Sequence, residues 1–177
     1  MAVETKLVTV SEFVTLPDPP NGRYELRNGE VVLVPPVELL HTRIQANLVK
    51  LLLAQLDAEG AVSAEFPFQP TSKYEFRYAD VGFVAHPRLR EGSDEGYLQG
   101  SPDLAIEILS LSNTWLEVED KRELCLRSGC QSYWIVNPVR QTVQVTDLEH
   151  IVRTYTIDDS VPLATGASIP VRAIFEK

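Results

Sequence analysis

Residues 101–110 have the sequence SPDLAIEILS, a short apolar run that carries two carboxylates. A run of this length and composition is typical of a buried β-strand, which we place at residues 103–109. Strand alternation then puts Asp103, Ala105, Glu107 and Leu109 on one face, and Leu104, Ile106 and Ile108 on the other. A carboxylate in apolar surroundings is costly unless it is paired, hydrogen-bonded or bound to a metal ion. Glu107 therefore needs a partner, and its strand is the first place to search for a functional site.

A helix and a second strand follow this strand. Thr114 and Glu117 have the spacing of a capping box, which predicts a helix that runs to about Ser128 and stops at Gly129. Residues 131–136 are apolar and aromatic and predict the next strand. A strand–helix–strand unit of this kind predicts one right-handed crossover between two parallel strands.

The rest of the chain adds further helices and strands. Asn28 and Gly29 lie between two extended runs, and both tolerate the positive φ of a tight hairpin turn. The predicted elements are a short helix at 11–16 capped by Thr9 or Ser11, hairpin strands at 23–27 and 30–34, an amphipathic helix at 39–59 ended by Gly60, strands at 61–68, 78–85, 142–146 and 151–157, and a loop at 87–100. Together they predict an α/β (α+β) fold in which helices flank a mixed sheet and an N-terminal hairpin precedes it.

Composition favours one folded domain. The chain has 177 residues, 44% of them hydrophobic, and we place a single domain at residues 1–177. No apolar run approaches the ~20 residues of a membrane helix, and residues 1–6 lack the pattern of a signal peptide. We therefore expect a cytoplasmic protein without a membrane partner. Cys125 and Cys130 are expected to be reduced core thiols, too few for a cysteine-based zinc site.

Charge limits the nucleic-acid hypotheses. The formal net charge is −9 at pH 7, whereas non-specific DNA binding depends on lysine and arginine that displace counterions. Such a chain is a poor candidate for a non-specific DNA binder. It is compatible with a nuclease whose acidic site holds a metal ion and whose basic residues lie on one rim.

Three acids and one lysine are the candidate site residues. Asp80 lies in an apolar strand, Glu107 in the next predicted strand, Lys121 on the helix that follows, and Glu25 in the first hairpin. Two carboxylates from neighbouring strands suit Mg²⁺, which prefers oxygen ligands and keeps several waters. Such an ion polarises a phosphate and activates a bound water. A lysine nearby can orient that water or offset developing negative charge.

Each candidate also has a structural explanation. Glu107 could pair with a basic side chain, Asp80 could cap the start of a strand, and Lys121 could lie on a solvated helix face. Glu25 has Arg23 and Arg27 at same-face spacing, which would form a salt network. Further alternatives concern His41 as a general base or a packed side chain, Trp115, Tyr133 and Trp134 as base-stacking or core residues, and Lys73, Arg77, Arg88 and Arg90 as a DNA groove or as scattered surface cations.

Several of these segments occur in a familiar order. They are RYELRNGE at 23–30, His41, ADVGFV at 79–84, PDLAIEILS at 102–110, Lys121, and GCQSYWIVNP at 129–138. In this order and spacing the chain resembles the PD-(D/E)XK nuclease superfamily, and within it the Uma-type restriction-endonuclease-like family that is common in cyanobacteria. The resemblance implies a restriction-endonuclease-like domain that cuts DNA with the help of Mg²⁺ or Mn²⁺.

The resemblance also implies roles for individual residues. Asp80 would be the aspartate of the superfamily motif and Glu107 its second acid, and both would bind the metal ion. Leu109 replaces the usual lysine two residues after that acid, so the catalytic lysine would be Lys121. Glu25 would be an additional acid. Asp103 lies only four residues before Glu107 on the same strand, which is too close for the motif aspartate.

Two functions follow. The first is a metal-dependent DNA endonuclease in which Glu25, Asp80, Glu107 and Lys121 are catalytic, although cleavage of RNA or another phosphodiester fits the same residues. The second is a catalytically inactive nuclease-like fold that acts as a dimeric binding or regulatory module, as the net charge and the displaced lysine suggest. We expect a homodimer, since twofold pairing is the commonest assembly and suits the two strands of DNA.

Overall fold

A seven-stranded mixed sheet carries most of the predicted strands. The computed structural model describes residues 6–70, 72–91, 96–110 and 113–177. The helices in these ranges are α1 (Val10–Phe13), α2 (Leu39–Leu56), α3 (His86–Glu91), α4 (Trp115–Arg127) and α5 (Val171–Ile174). The strands are β1 (Arg23–Arg27), β2 (Glu30–Val34), β3 (Gly60–Gln69), β4 (Arg77–Ala85), β5 (Leu98–Gln99), β6 (Leu104–Ile108), β7 (Ser132–Asn137), β8 (Thr142–Asp147), β9 (Val152–Tyr155), β10 (Ser160–Pro162) and β11 (Ser168–Pro170).

The order of the main sheet is β5-β3-β4-β6-β7-β8-β9. β6 and β7 run parallel and are joined by α4, as the strand–helix–strand pattern predicts. β4 pairs with β6 in antiparallel register, with Val81 opposite Ile106. This places Asp80 and Glu107 on neighbouring strands next to that pair. The predicted mixed sheet with flanking helices is confirmed.

The two faces of the sheet pack against different helices, α2 on one side and α4 on the other. Alternation along β6 sends Leu104, Ile106 and Ile108 into a core with α2, and Ala105 into a second core with α4. The long helix contributes its apolar stripe to the first core through Ile44, Leu48 and Leu52. The second core contains Val118, Cys125 and Leu126 of α4. Burying one such aliphatic side chain contributes roughly 1.5–3 kcal/mol, so both helices are held firmly against the strands that carry the candidate acids.

The N-terminal hairpin forms a separate two-stranded sheet. Its turn residues have the expected positive φ, 49° at Asn28 and 81° at Gly29. The hairpin meets the main sheet where Leu26 and Phe76 exchange backbone hydrogen bonds of 2.9 and 3.0 Å. Leu26 and Phe76 pack there with Val10 and Phe13 in a third small core. This contact brings Glu25 of β1 beside β4.

The structure differs from the predicted elements in three places. The long helix ends at Leu56 and not at Gly60. Gly60 is instead the first residue of β3, where only glycine fits because a Cβ would lie 2.1 Å from the Val84 carbonyl oxygen. The predicted loop at 87–100 contains α3 and β5, and residues 92–95 of it lie outside the described ranges. The strands β10 and β11 and the helix α5 were not predicted, and Val171 and Ile174 of α5 belong to the α2 core.

The predicted helix caps and the predicted buried cysteines are confirmed. Thr9 and Thr114 both close capping boxes, on α1 and α4. Cys125 and Cys130 are buried free thiols, and burial raises the pKa of Cys130 to about 12, so that thiol stays protonated. Of the helices in the described ranges, none is long and apolar enough to cross a membrane.

Candidate active site

The four candidate residues meet in one pocket. Glu25 from β1, Asp80 from β4, Glu107 from β6 and Lys121 from α4 all line a cavity of about 290 Å³. The cavity lies where the hairpin, the main sheet and α4 come together. The spatial convergence on which the metal hypothesis depends is therefore present.

Asp80 is held in one orientation by two donors. Its Oδ2 accepts a hydrogen bond from the Ile108 backbone N–H (2.7 Å) and lies 3.1 Å from His41 Nε2. Because an ionised carboxylate only accepts, the Nε2–H of His41 is the donor. Burial opposes ionisation of Asp80, but the hydrogen bond from His41, the charge of Lys121 and the Ile108 N–H outweigh it and hold the pKa below its usual value. Asp80 is thus an ionised, fixed carboxylate.

Lys121 lies among three carboxylates. Its Nζ is 2.7 Å from Glu107 Oε1 and 3.9 Å from Glu25 Oε1. It also donates a hydrogen bond to the carbonyl oxygen of Tyr78. Burial lowers the lysine pKa, but the charges of Glu107, Glu25 and Asp80 more than compensate and raise it. Lys121 is therefore protonated, and the solvated-helix explanation for it is wrong.

The pKa of Glu107 is raised, whereas that of Asp80 is lowered. Burial raises the pKa of Glu107, Lys121 partly offsets that effect, and the negative charges of Asp80 and Glu25 add to it, so the pKa reaches about 8. At neutral pH the lysine alone does not fully stabilise the ionised form of Glu107. A further positive charge between Asp80 and Glu107 would stabilise that form.

Glu25 is already paired. Its Oε2 accepts a hydrogen bond from Arg27 Nε (3.0 Å) and lies 3.6 Å from Arg77 Nη1. Its Oε1 accepts one from the Tyr78 backbone N–H (3.4 Å). Burial opposes ionisation, but Lys121 and the arginines hold the pKa of Glu25 below its usual value. The salt network that sequence reasoning left open exists, although Arg77 and not Arg23 is the second arginine.

Two further residues support Asp80, and sequence reasoning missed both. Glu65 of β3 has a φ of 49°. It faces the position of Asp80 in β4 and lies between the two residue pairs on either side of that position in the β3–β4 ladder. The Asp80 carbonyl instead accepts a hydrogen bond from Gln45 Nε2 (2.7 Å), which also donates to Glu65 (2.7 Å). Glu65 also forms an ion pair with Arg23, whose Nη2 lies 3.9 Å from Asp80 Oδ1. A local irregularity in a strand beside a site is typical of strained functional positions.

The remaining candidate residues have structural roles or lie at the surface. Asp103 accepts hydrogen bonds from the Ala85 N–H (2.8 Å) and Arg88 (2.9 Å) and does not line the pocket. Arg77 is buried and pairs with Glu75 (2.7 Å), so it is not a surface cation. Tyr133 and Trp134 are buried in the two main cores and unavailable for stacking on bases, whereas Trp115 is exposed.

The family model Uma2, whose description reads "Putative restriction endonuclease", matches residues 10–173. The chain belongs to the Uma2 family. The fold is similar to that in the "crystal structure of a putative nuclease belonging to DUF820" from Anabaena variabilis ATCC 29413, with 22% identity, a TM-score of 0.81, and coverage of 95% of this chain and 97% of that chain. No curated protein sequence matches the chain. The predicted resemblance and fold class are confirmed.

The pocket of this Uma2-family chain offers a metal ion two carboxylates. In the part of the chain that the structure describes, no group of three or more His, Cys, Asp or Glu side chains is placed to hold a metal ion. Zinc-like sites need such a group, but Mg²⁺ is usually bound by one or two carboxylates, waters and substrate phosphates. Asp80, which is ionised, and the neighbouring Glu107 both offer oxygen atoms as ligands. The positive charge near Glu107 is not enough to stabilise its ionised form fully. The donor set therefore fits a hard divalent cation.

The raised pKa of Glu107 makes folding stability depend on pH. Between its usual 4.5 and about 8 the folded protein keeps a proton that the unfolded chain has released. The contribution of Glu107 to the free energy of unfolding must then fall as pH rises through this window, by up to about 1.4 kcal/mol per pH unit. We expect Glu107→Gln to remove this slope in urea denaturation with EDTA at pH 5 to 8. The exposed-site control Glu30→Gln should keep the wild-type slope, and equal slopes for Glu107→Gln and wild type would contradict the assignment.

Proposed function

We propose that the chain is a metal-dependent endonuclease that hydrolyses phosphodiester bonds in DNA, with Asp80 and Glu107 as ligands of Mg²⁺ or Mn²⁺. The observation that carries the proposal is the meeting of Asp80, Glu107 and Lys121 in one pocket, although three different elements supply them. Membership of the Uma2 family supports a nuclease.

The protein side chains have separable roles in this proposal. A bound divalent cation would polarise the phosphate and lower the pKa of a coordinated water. Asp80 is prepared for binding because the Ile108 N–H and His41 fix one of its oxygens, whereas Oδ1, among the residues that the structure describes, has Arg23 at 3.9 Å as its ion-pair partner. The protonated Lys121 lines the pocket, where it would orient the attacking water and stabilise negative charge on the phosphate.

Basic groups at the mouth would receive the DNA backbone. Arg23 and Arg27 line the pocket, and each side chain is about one-quarter exposed, 23% and 27%. A guanidinium suits a phosphate because it offers paired donors in a plane. Water would attack the phosphorus and release its proton to solvent, the bond from phosphorus to the leaving oxygen would break, and that oxygen would take up a proton from solvent to leave as a hydroxyl group.

A second candidate function is a catalytically inactive nuclease-like module. It is favoured by the pairing of Glu25 with two arginines and of Glu107 with Lys121, which leaves Asp80 as the more available carboxylate. In either case we propose a cytoplasmic homodimer, in which a twofold axis would match the symmetry of duplex DNA.

Incubation with supercoiled plasmid tests the proposal. The purified chain is expected to produce nicked or linear plasmid with Mg²⁺ or Mn²⁺ and no product with EDTA. Calorimetry with Mn²⁺ in parallel separates the two candidates. Tight Mn²⁺ binding without cleavage would favour the inactive module, and neither binding nor cleavage would exclude the metal-dependent enzyme.

A further inference from the structure

A second cleft of about 180 Å³ opens beside the catalytic pocket. Its aromatic side chains are Phe13, Tyr24, Phe76, Tyr78 and Tyr97, and we call it the aromatic cleft. Phe13 and Phe76 are buried and form its floor, whereas Tyr97 is 45% exposed and stands at its rim. Tyr97 meets the ring of Phe76 edge-on with centroids 4.5 Å apart, and Tyr78 does so at 5.5 Å. The rings of Tyr97 and Tyr78 are therefore both held by contact with Phe76.

The aromatic cleft and the catalytic pocket share one lining residue. Arg23 lines both cavities, and its guanidinium lies over the Tyr78 ring, 5.0 Å from the centroid. The backbone of Tyr78 contacts residues of the catalytic pocket, because its carbonyl oxygen accepts a hydrogen bond from Lys121 and its N–H donates one to Glu25. A ligand in the aromatic cleft would therefore lie next to the proposed reaction centre.

Size and chemistry together indicate the ligand. A cavity of 180 Å³ is smaller than the roughly 300–1,000 Å³ of sites for drug-sized molecules, so it suits a single ring system. Aromatic side chains bind nucleobases by stacking, which tolerates any sequence and adds about 1–3 kcal/mol per base to whatever the phosphate contacts supply. This matters for a chain of net charge −9, because phosphate contacts alone give such a protein little affinity for duplex DNA.

We infer that the aromatic cleft binds one unstacked nucleobase beside the scissile phosphate, and that the chain accordingly prefers single-stranded DNA to duplex DNA. The inference rests on the proposed nuclease function. A base inside a duplex is stacked on both faces and cannot enter the cleft unless it is first extruded, which costs a few kcal/mol. A single strand avoids that cost.

Fluorescence anisotropy in EDTA tests the inference without cleavage. The probes are a labelled 16-nucleotide dT strand and the same strand paired with dA. Wild type is expected to bind the single strand more tightly, and Tyr97→Ala to weaken that binding roughly tenfold while duplex binding is unchanged. Tyr97→Phe, which keeps the ring, should retain wild-type affinity. Tyr74→Ala is the matched control, because Tyr74 is partly exposed but does not line the cleft.

The outcomes separate this inference from the proposed function. Equal affinity for both probes, or no effect of Tyr97→Ala beyond that of Tyr74→Ala, would overturn the base-binding role even if the protein cuts plasmid. Single-strand binding that depends on Tyr97, in a protein that cuts no DNA with any metal, would support the cleft and overturn the nuclease.

Discussion

Replacement of Asp80 by asparagine is expected to reduce metal-dependent DNA cleavage at least about 1,000-fold, equivalent to about 4 kcal/mol of transition-state stabilisation. Asparagine keeps the shape of the side chain and removes its charge. The ionised form of Asp80 is the one that the Ile108 N–H and His41 stabilise, and it is the proposed metal ligand. The initial rate of plasmid nicking in Mn²⁺ measures the loss, and calorimetry should show weaker Mn²⁺ binding in the same variant.

Asp103→Asn is the matched control for this experiment. Asp103 is a buried acid immediately before β6 that pairs with Arg88 and does not line the pocket. The same substitution there should lower stability, because it weakens a buried charged hydrogen bond, but leave the cleavage rate of the folded protein within about twofold. Cleavage by Asp80→Asn at the wild-type rate would exclude Asp80 as a ligand.

The substitution Glu25→Ala is expected to destabilise the fold by about 3–5 kcal/mol. Glu25 is 1% exposed, and its removal leaves Arg27, Arg77 and Lys121 facing one another without their shared carboxylate. Each of these cations keeps one other carboxylate partner, Glu117, Glu75 and Glu107 respectively. The buried cluster nevertheless loses a negative charge, and removal of one partner from a buried ion pair is costly whatever the net value of the intact pair. Urea denaturation at pH 7 measures the change in the free energy of unfolding.

Glu117→Gln provides the comparison for Glu25. Glu117 pairs with the same Arg27 at 3.0 Å but from the exposed side, and glutamine preserves its capping role with Thr114. Its loss should cost less than about 1 kcal/mol. A Glu25→Ala variant as stable as Glu117→Gln would contradict a structural role for Glu25. The isosteric Glu25→Gln then addresses catalysis, because cleavage lost from a folded variant would assign Glu25 to the reaction.

Much of the local structure could be predicted because short-range physics determines it. The capping boxes at Thr9 and Thr114 need only residues three positions apart. The Asn28-Gly29 turn needs two residues that tolerate positive φ. The two faces of β6 follow from alternation alone, which is why the position of Glu107 within its strand was predictable.

The remaining features depend on contacts between distant segments. A glutamate at positive φ, as at Glu65, has no sequence signal, and the role of Gln45 follows from that irregularity. The choice of Arg77 as partner of Glu25 depends on how the hairpin meets β4. The grouping of Asp80, Glu107 and Lys121 was expected from the family resemblance and not from periodicity, because no local pattern says which helix faces which strand.

The hairpin and the main sheet are separate sheets that are joined through the backbone hydrogen bonds between Leu26 and Phe76, and the candidate site lies across their junction. Glu25 and Arg23 belong to one unit, and Asp80 and Glu107 belong to the other. Separation of the two units at Leu26 and Phe76 would expose Asp80 and Glu107 to solvent and would remove Glu25 and Arg23 from the pocket. The pocket that carries the proposed activity therefore depends on this joint between the hairpin and the main sheet.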